Sequence, residues 1–244
     1  MEKYYPEHCA IILDGNRRWA KRQGLPQLKG HQAGFENIKK LAPYIINKGV
    51  KVLSVYAFST ENFKRSEEEV KYLMDIFVDM FKKECNEIHE ENIKVVVSGR
   101  RDNLRPDVKE AIDYIVEKTK NNTKGIFNVC LNYGGQQEIV DGAKRLAEDY
   151  KNGLISLDDI DEKYFYKYMY NELPPIDLMI RTSGELRISN FLMYELSYAE
   201  LYFTETCFPD FNEEAFEKAV DDFNTRERRF GGNKKWKKEL YQQQ

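Results

Sequence analysis

One pattern near the start of the chain indicates the architecture. Residues 8–20 have the sequence HCAIILDGNRRWA, an apolar run followed by a charged turn. We expect a strand over residues 9–13, because consecutive apolar residues suit a strand that is buried on both faces. Gly15 permits a tight turn, and the residues after it open a helix whose free N–H groups suit an anion.

The same order of apolar run and helical pattern recurs along the chain. Strands are expected at residues 9–13, 52–58, 94–98, 127–131, 178–180 and 201–203, and helices at about 31–48, 67–91, 105–121, 136–151, 161–172 and 212–228. This alternation predicts an α/β fold with a mostly parallel central sheet of about six strands, flanked by helices. We expect a single domain over residues 1–244, with a basic, frayed tail at about 233–244.

The overall composition excludes several classes of protein. Among 244 residues, 38 basic side chains stand against 41 acidic ones, which argues against a general nucleic-acid binder. The longest apolar runs hold about five residues, far fewer than the roughly 18 that a membrane-spanning helix needs. The four cysteines lie far apart and form no C-x-x-C pair. We therefore expect neither a zinc cluster nor a disulfide framework. We expect a cytoplasmic location.

Two charged loops that follow predicted strands suggest anion sites, because parallel sheets bind ligands beyond the carboxyl ends of their strands. The first loop carries Asp14, a natural Mg²⁺ ligand, beside Arg17 and Arg18, which suit phosphate. An ordinary Asp-Gly turn with solvated arginines would show the same residues. The second loop places Arg181 and Arg187 among Ser, Thr and Gly residues, and a buried Arg181 would need an anionic partner. Together they indicate two phosphorylated substrates and a metal ion.

Two other polar segments are less specific. Residues 59–65 hold hydroxyl, amide and guanidinium groups, directly before a helix at which Ser66 and Glu69 predict a capping box. The acidic run at residues 158–162 invites comparison with the aspartate-rich motif of all-helical prenyl synthases, but helix N-capping explains it better in a strand-rich chain. The chain has no Walker A loop and no G-x-G-x-x-G motif, so nucleotide binding lacks its usual support.

Several motifs together resemble the cis-prenyltransferases, the undecaprenyl diphosphate synthase family, over about residues 8–232. They are HCAIILDGNRRWA at 8–20, GH at 30–31, YAFSTENF at 56–63, NYGG at 132–135, DLMIRTSGE at 177–185, RISNF at 187–191, YAELYF at 198–203 and RERRFGG at 226–232. One motif alone would be weak, but this ordered set at this length is specific. The resemblance implies an enzyme that adds isopentenyl diphosphate units in cis to an allylic diphosphate, usually farnesyl diphosphate, with Mg²⁺.

The resemblance also implies roles for individual residues. Asp14 and Asn62 are the expected catalytic residues, and Asp14 and Glu200 the expected metal ligands. The expected substrate-binding residues are Gly15, Asn16, Arg17, Arg18, Trp19, His31, Ser59, Thr60, Glu61, Phe63, Arg65, Arg181, Arg187 and Ser189. In this scheme the first loop and His31 hold the allylic diphosphate. The second loop, called the late loop from here on, holds isopentenyl diphosphate with its two arginines and Ser189.

An apolar tunnel is expected to hold the growing chain. Leu73 and Phe77 lie on the apolar face of the helix predicted at 67–91 and are candidates for its wall, although plain core packing explains that face as well. Ala57 is small and lies beside the catalytic loop, which in this family goes with a long tunnel and a long product. Burial of each five-carbon unit contributes about 3–4 kcal/mol, at roughly 0.8 kcal/mol per CH₂, so affinity rises as the product grows.

Two positions depart from the family pattern in ways that remove contacts. Gln27 stands where the family often has an Arg on the diphosphate, and Leu186 stands where some members have a metal-contacting His. The resemblance further implies a homodimer without nucleic-acid partners. It also implies transient contact with the inner face of the membrane, because the product is a membrane lipid.

Two alternatives belong to other classes of protein. A non-catalytic subunit of a two-component cis-prenyltransferase would share the fold but lose active-site residues, whereas Asp14, Asn62 and both arginines of the late loop are present. A generic phosphate-binding α/β enzyme, such as a phosphatase, would not account for two anion loops beside a long apolar helix.

Overall fold

The computed structural model describes residues 3–230 and shows a six-stranded sheet in which every pairing is parallel. Its strands are β1 His8–Ile12, β2 Val52–Ser59, β3 Ile93–Ser98, β4 Gly125–Tyr133, β5 Leu178–Arg181 and β6 Glu200–Phe203. They lie in the order β3-β4-β2-β1-β5-β6. The α/β fold and its six strands are therefore confirmed, and the sheet is wholly rather than mostly parallel. The tail predicted at 233–244 lies outside the described residues.

Eight α-helices flank the sheet in the described part of the chain. They are α1 Asn16–Arg22, α2 Gln27–Asn47, α3 Glu67–Lys83, α4 Cys85–Glu90, α5 Pro106–Thr119, α6 Gly135–Lys151, α7 Glu162–Tyr166 and α8 Glu213–Thr225. Short 3₁₀ turns cover Thr60–Lys64, Leu157–Asp159 and Phe208–Asp210. Asp161 accepts a hydrogen bond from the backbone N–H of Tyr164 at 2.7 Å, so N-capping within the acidic run is confirmed.

Three predicted helices are shorter than their sequence pattern. The helix expected at 67–91 breaks at Glu84, where neither Gly nor Pro marks the break. The helix expected at 161–172 ends at Tyr166, and the N–H of Tyr170 instead donates to the buried carboxylate of Glu138 at 2.8 Å. The helix expected at 212–228 ends at Thr225. In the second case a tertiary hydrogen bond overrides the local helical preference.

Strand β1 lies at the centre of the sheet and serves two cores. Cys9 and Ile11 pack into the larger apolar cluster, with α2, α3, α5 and α8, whereas Ala10 and Ile12 pack into a smaller cluster on the other face. Side chains of a strand point to alternate faces, so this division follows from the uninterrupted apolar run. All five residues of β1 are buried, as that run predicts.

The strand order leaves a crevice at one edge of the sheet. Ile12 of β1 lies opposite Tyr56 of β2 on one side and Arg181 of β5 on the other. From β1 the chain continues to β2, whereas from β5 it continues to β6 in the opposite direction. The loops that leave β1 and β5 therefore diverge, which is the point where ligands bind in open parallel sheets.

Helix α2 packs unusually closely on the first turn of α1. A Cβ added to Gly30 would lie 2.0 Å from the backbone oxygen of Asn16, and one added to Gly34 would lie 2.3 Å from its side-chain Oδ1. Asn16 itself donates from Nδ2 to the backbone oxygen of Leu13 at 3.2 Å. The turn that follows β1 is thus held in place by α2, and only glycine allows this approach.

Gly30→Ala is expected to destabilise the protein by about 1–3 kcal/mol, as overpacking does when the atom in the way is backbone. The helix preference of Ala over Gly, roughly 1 kcal/mol, offsets part of the clash, so the net loss of stability lies in the lower part of that range. The measurement is urea unfolding. Glu36→Ala, at an exposed position of the same helix, is the control and should change stability by less than about 0.5 kcal/mol. A Gly30→Ala protein as stable as wild type would contradict the close packing.

Candidate active site

An ion pair between a buried arginine and a half-buried aspartate joins the loops that follow β1 and β5. Arg181, only 4% exposed, donates from Nη2 to Oδ2 of Asp14 at 2.9 Å. The other carboxylate oxygen of Asp14 accepts the N–H of Gly15 at 2.7 Å. Nη1 of Arg181 donates to Oγ of Ser189 at 2.7 Å and to the carbonyl oxygen of Arg187. The anionic partner that a buried Arg181 requires is therefore Asp14.

Thr182 adds a second link between the same two loops. Its fully buried hydroxyl donates to the carbonyl oxygen of Asp14 at 2.7 Å and accepts the N–H of Asp14 at 3.0 Å. The carboxylate of Asp14 is thus fixed by Arg181 at the end of β5, and its backbone by Thr182 directly after β5. Our reading of the sequence missed this residue, and only its position directly after a strand end could have suggested it.

The loop after β5 has a strained backbone. Ser183, Ser189, Asn190 and Leu192 have φ values of 76°, 50°, 64° and 36°, and Gly184 has a φ of 75°. Positive φ is unfavourable for residues with a side chain and persists only when surrounding contacts enforce it. Such strain concentrates at functional sites, and here it lies in the loop that carries the predicted anion site.

Asn190 supplies the contacts that hold this loop. Its carbonyl oxygen accepts the N–H of Gly135 at 2.7 Å, and its Oδ1 accepts the N–H of Gln136 at 2.8 Å. Its Nδ2 donates to Gln137 at 3.1 Å and to Glu61 at 3.3 Å. Asn190 therefore ties the loop after β5 to the 3₁₀ turn after β2 and to the first turn of α6, which follows β4.

The loop after β2 begins at an irregularity in the sheet. Tyr56 pairs with Cys130 and Phe58 with Leu131, so Ala57 is an extra residue without a partner on β4. A bulge of this kind re-aims neighbouring side chains and is frequent beside active sites. Just beyond it, Oδ1 of Asn62 accepts the N–H of Ser59 at 3.1 Å.

A second charged group lies where α2 meets α3. Nε2 of His31 lies 3.0 Å from Oε1 of Glu69, and Arg65 donates to the same oxygen at 3.0 Å. His31 and Glu69 are 8% and 7% exposed. Ser66 caps α3 by accepting the N–H of Glu69, but the Glu69 carboxylate turns to His31 and Arg65, so the predicted capping box is wrong. The spacing of four residues between Arg65 and Glu69 was the sequence signal that could have indicated this ion pair.

The environment of this group sets its protonation. Burial lowers the pKa of His31 below its ordinary value, although the hydrogen bond to Glu69 opposes the effect. For Glu69 burial acts in the opposite sense, yet the hydrogen bond to His31 and the charge of Arg65 hold its pKa below the usual range. Near neutral pH the favoured state is therefore a neutral imidazole beside an ionised carboxylate.

These loops surround a cavity of about 1260 Å³ with two kinds of lining. Its polar part includes the predicted residues Asp14, Gly15, Asn16, Arg17, Arg18, His31, Ser59, Glu61, Asn62, Arg65, Arg181 and Ser189. Its apolar part includes Ala57, Leu73 and Phe77, together with Phe35, Ile38, Ile76, Met80, Phe127 and Val129. The structure thus brings together groups that suit anions and a wall that suits hydrocarbon.

Four predicted binding residues do not line this cavity. Trp19 donates from Nε1 to Asp210 at 2.7 Å, and Phe63 packs against Phe58 with ring centroids 4.9 Å apart. The Thr60 hydroxyl is buried and has no hydrogen-bond partner among the described residues. The fourth, Arg187, is exposed and pairs with Glu185. Trp19 and Phe63 support the loops from behind rather than facing the cavity.

Charged side chains form a rim between the two central loops. The side chain of Arg187 is 59% exposed and pairs with Glu185 at 2.5 Å. Glu185 also pairs with Arg18 at 3.0 Å, and Arg18 reaches Asp14 at 3.4 Å. Alternating charges therefore run from Arg187 to Asp14. Glu185 links the two predicted anion sites, a role that our reading of the sequence did not assign.

Glu200 lies at the other end of the sheet from Asp14. It pairs with Leu178 at the start of β5, whereas Arg181 at the end of β5 pairs with Phe203. Three residues of strand span about 10 Å, so the chain does not bring Glu200 to the centre. Glu200 instead pairs with Arg226 at 3.1 Å. Over residues 3–230 no group of three or more His, Cys, Asp or Glu side chains is placed to hold a metal ion.

Comparison with known proteins agrees with this geometry. Residues 12–231 match the family model described as undecaprenyl diphosphate synthase. The chain is 46% identical to an isoprenyl transferase of Fusobacterium nucleatum, over 96% of this chain and 99% of that protein. It is 45% identical to the (2E,6E)-farnesyl-diphosphate-specific ditrans,polycis-undecaprenyl-diphosphate synthase of Micrococcus luteus, over 93% of this chain and 92% of that protein.

Solved structures show the same architecture. A lavandulyl diphosphate synthase from Lavandula x intermedia, in complex with dimethylallyl diphosphate, superposes with a TM-score of 0.90 at 35% identity, over 93% of this chain and 98% of that one. A probable undecaprenyl diphosphate synthase from Campylobacter jejuni gives 0.78 at 29% identity, over 93% and 99%. Within the described residues, no helix has the length and apolar character needed to span a membrane.

Glu69→Gln is expected to lower the pKa of His31 further. The substitution removes the carboxylate that opposes the effect of burial and leaves the charge of Arg65, which also lowers that pKa. The measurement is an NMR titration of the imidazole of His31. Glu68→Gln, at an exposed position on the same turn, is the control and should leave the titration unchanged. An unchanged or raised His31 pKa in Glu69→Gln would show that the pair does not form in solution.

Proposed function

The chain belongs to the undecaprenyl diphosphate synthase family, and we propose that it condenses isopentenyl diphosphate units in cis onto an allylic diphosphate. Each condensation releases diphosphate, and the product is a long-chain polyprenyl diphosphate. The name of the Micrococcus luteus relative supports farnesyl diphosphate as the starter. The observation that carries the proposal is the Asp14–Arg181 pair at the edge of a cavity that is polar at one part and apolar at another.

This lining fits an amphiphilic substrate better than the alternatives do. A prenyl diphosphate combines a highly charged head with an apolar tail, and the cavity offers matching surfaces to both. A phosphatase would have no use for an apolar wall of this extent. A non-catalytic subunit would not need Asp14, Arg181 and Asn62 in their places around the same cavity.

We propose that the first loop holds the allylic diphosphate. Arg17 and Arg18 line the cavity beside Asp14, and His31 lies in the wall formed by α2. When the allylic C–O bond breaks, its electron pair goes to the leaving diphosphate, and the guanidinium groups beside it stabilise that charge selectively in the transition state. Because Arg181 and Thr182 already fix Asp14, little reorganisation is needed at that moment.

We propose that the late loop holds isopentenyl diphosphate. Arg181 and Ser189 line the cavity, and Nε of Arg181 is buried without a hydrogen-bond partner among the described residues. An anion at this place would satisfy that donor. Arg187, whose side chain is 59% exposed and pairs with Glu185, can extend towards the same anion. The two substrates would then lie side by side, which makes the attack effectively unimolecular.

Asp14 fits a role in holding Mg²⁺ together with the diphosphate. Each of its oxygens accepts one strong hydrogen bond, and a carboxylate has about four acceptor positions in all. Mg²⁺ is usually held by one or two carboxylates and by substrate phosphates, so one fixed carboxylate is enough. The ion, when bound, would neutralise charge on the leaving diphosphate. Glu200 makes no contact with Asp14 in this chain, so its predicted metal role finds no support here.

Carbon–carbon bond formation leaves a proton to be removed. The double bond of isopentenyl diphosphate attacks the allylic carbon, and a proton then leaves the new chain. We propose that the released diphosphate accepts this proton, and that Asn62, fixed by the N–H of Ser59, positions the reacting carbons. The apolar wall with Ala57, Leu73 and Phe77 would hold the growing chain as a tunnel.

We also propose a homodimer that works in the cytoplasm and contacts the inner face of the membrane briefly to deliver its product. The exposed edge strand β6, with Leu201 36% exposed and Tyr198 nearby at 67%, supports association with a second copy. The four cysteines are free and buried, as is usual in reducing compartments. The nearly balanced net charge of -3 supports the absence of a nucleic-acid partner.

The direct test combines the purified chain with Mg²⁺, farnesyl diphosphate and radiolabelled isopentenyl diphosphate. We expect labelled lipid that is longer than the starter, with new double bonds in cis, in the absence of any other protein. No lipid product under these conditions would overturn the proposal. Product that forms only after a second protein is added would favour the partner-subunit alternative.

Asp14→Asn should lower kcat/KM by about a hundredfold or more, equivalent to at least about 2.7 kcal/mol of transition-state stabilisation. The amide retains the size of the carboxylate but loses the charge that faces Arg181 and the metal ion. The control is Asp113→Asn, a surface residue whose side chain is 70% exposed, which should keep wild-type activity. Circular dichroism should show that both variants are folded. Near-normal kcat/KM in Asp14→Asn would contradict its role.

Ala57→Leu should shorten the product. Ala57 is the unpaired residue of the β2 bulge and lines the cavity, so a larger side chain there narrows the space for the growing chain. The measurement is chromatographic sizing of labelled product, with the rate of the first condensation measured in parallel. An unchanged length distribution would show that the chain does not pass Ala57.

A further inference from the structure

Two buried carboxyl groups lie beside the late loop and take no part in the proposed chemistry. Glu138, on the first turn of α6, is 2% exposed, and Glu195, in the late loop that runs from β5 to β6, is 5% exposed. Both charges act on Cys130 and Tyr133, so the two carboxyl groups share one region of the smaller apolar cluster. Two ionised carboxylates are unfavourable there, because they repel each other and water solvates neither.

The hydrogen bonds show which of the two carries the negative charge. Glu138 accepts the phenolic O–H of Tyr133 and the N–H of Tyr170, the latter at 2.8 Å. Burial raises the pKa of Glu138, but these two donors and the charge of Arg145 oppose the shift. Glu195 has less support, since its Oε2 is buried without a hydrogen-bond partner among the described residues. Burial and the charge of Glu138 raise the pKa of Glu195 to about 8, so this side chain holds the proton.

The other groups that face this pair keep one charge state near pH 8. Burial raises the pKa of the facing thiol and phenols, which belong to Cys130, Tyr133, Tyr170 and Tyr194. The hydrogen bond from Arg100 lowers the pKa of Asp141, the nearby acid on α6. The facing cations are the guanidinium groups of Arg100 and Arg145. Glu195 is therefore the group whose charge changes in mildly alkaline solution.

The position of Glu195 connects this charge to the late anion site. The first turn of α6 carries both Glu138 and the two N–H groups that donate to Asn190 at 2.7 and 2.8 Å. The neighbouring Ser189 accepts a hydrogen bond from Arg181. Repulsion between Glu138 and an ionised Glu195 pushes α6 and the late loop apart at these contacts. Because Ser189 and Asn190 have positive φ, loss of the contacts also lets their backbone relax.

We propose that Glu195 is a positioning residue that, only while it carries a proton, keeps the late loop in the form that binds isopentenyl diphosphate. This inference rests on the proposed function. Glu195 acts through Asn190 and Ser189 and touches no substrate itself. Loss of its proton in alkaline solution therefore weakens substrate affinity and leaves the bond-forming step largely as it was.

The first test follows the KM for isopentenyl diphosphate between about pH 7 and pH 9.5. In the wild-type protein it should rise by about tenfold per pH unit once the proton is lost, whereas kcat at saturating substrate changes less. Glu195→Gln keeps the size of the protonated side chain and cannot ionise, so its KM should rise far less. Glu172→Gln, at an exposed position, is the matched control and should follow the wild type. Equal KM profiles in Glu195→Gln and the wild type would overturn the proposal.

The second test measures urea unfolding and does not depend on activity. The pKa of Glu195 is higher in the folded chain than the ordinary value of about 4.3, so the cost of ionising it grows as the pH rises towards 8. Glu195→Gln avoids this cost, and its urea midpoint should exceed that of the wild type by a gap that widens from about pH 5 to pH 8. A gap that does not widen would show that Glu195 holds no proton.

Failure of the proposed function gives a different result. A wild-type protein that makes no lipid at any pH would overturn both that function and the link to isopentenyl diphosphate. The unfolding measurement would still decide whether Glu195 carries the proton.

Discussion

The ion pair between Asp14 and Arg181 is the constraint on which the rest of the site depends. Its partners lie 167 residues apart in sequence but 2.9 Å apart in space. A guanidinium group as deeply buried as that of Arg181 is tolerated only with an opposite charge and further hydrogen bonds. The loops after β1 and β5 therefore keep one relative position. The cavity edge, the charged rim and the strained late loop are all built around it.

This preorganisation matters for the proposed chemistry. Thr182 fixes the backbone of Asp14, and Asn190 ties the late loop to the loops after β2 and β4. Groups that are already oriented need not reorganise when charge develops on a leaving diphosphate. Because the backbone strain lies in the same loop as these anchors, the contacts that oppose the strain also position the binding groups.

Part of this arrangement was predictable from sequence. Uninterrupted apolar runs located the strands, and the need of a buried Arg181 for an anion was foreseen, although the expected anion was a phosphate and the partner in the structure is Asp14. What failed depends on contacts between distant segments. Glu69 had the spacing of a capping residue, but its carboxylate forms a hydrogen bond with His31 of another helix. The helix break at Glu84 has no Gly or Pro to mark it. Strand register likewise places Glu200 at the far end of the sheet from Asp14, which a motif alone does not show, and its metal role stays a prediction.

The strand order also has a consequence for synthesis on the ribosome. Strand β1 emerges first, with apolar side chains on both faces, but its neighbour β5 comes more than half the chain later. At about 5–20 residues per second, one edge of β1 waits on the order of ten seconds for its partner. Throughout that interval the nascent chain exposes an apolar strand with one edge unpaired, which makes this segment a site where aggregation can begin during synthesis.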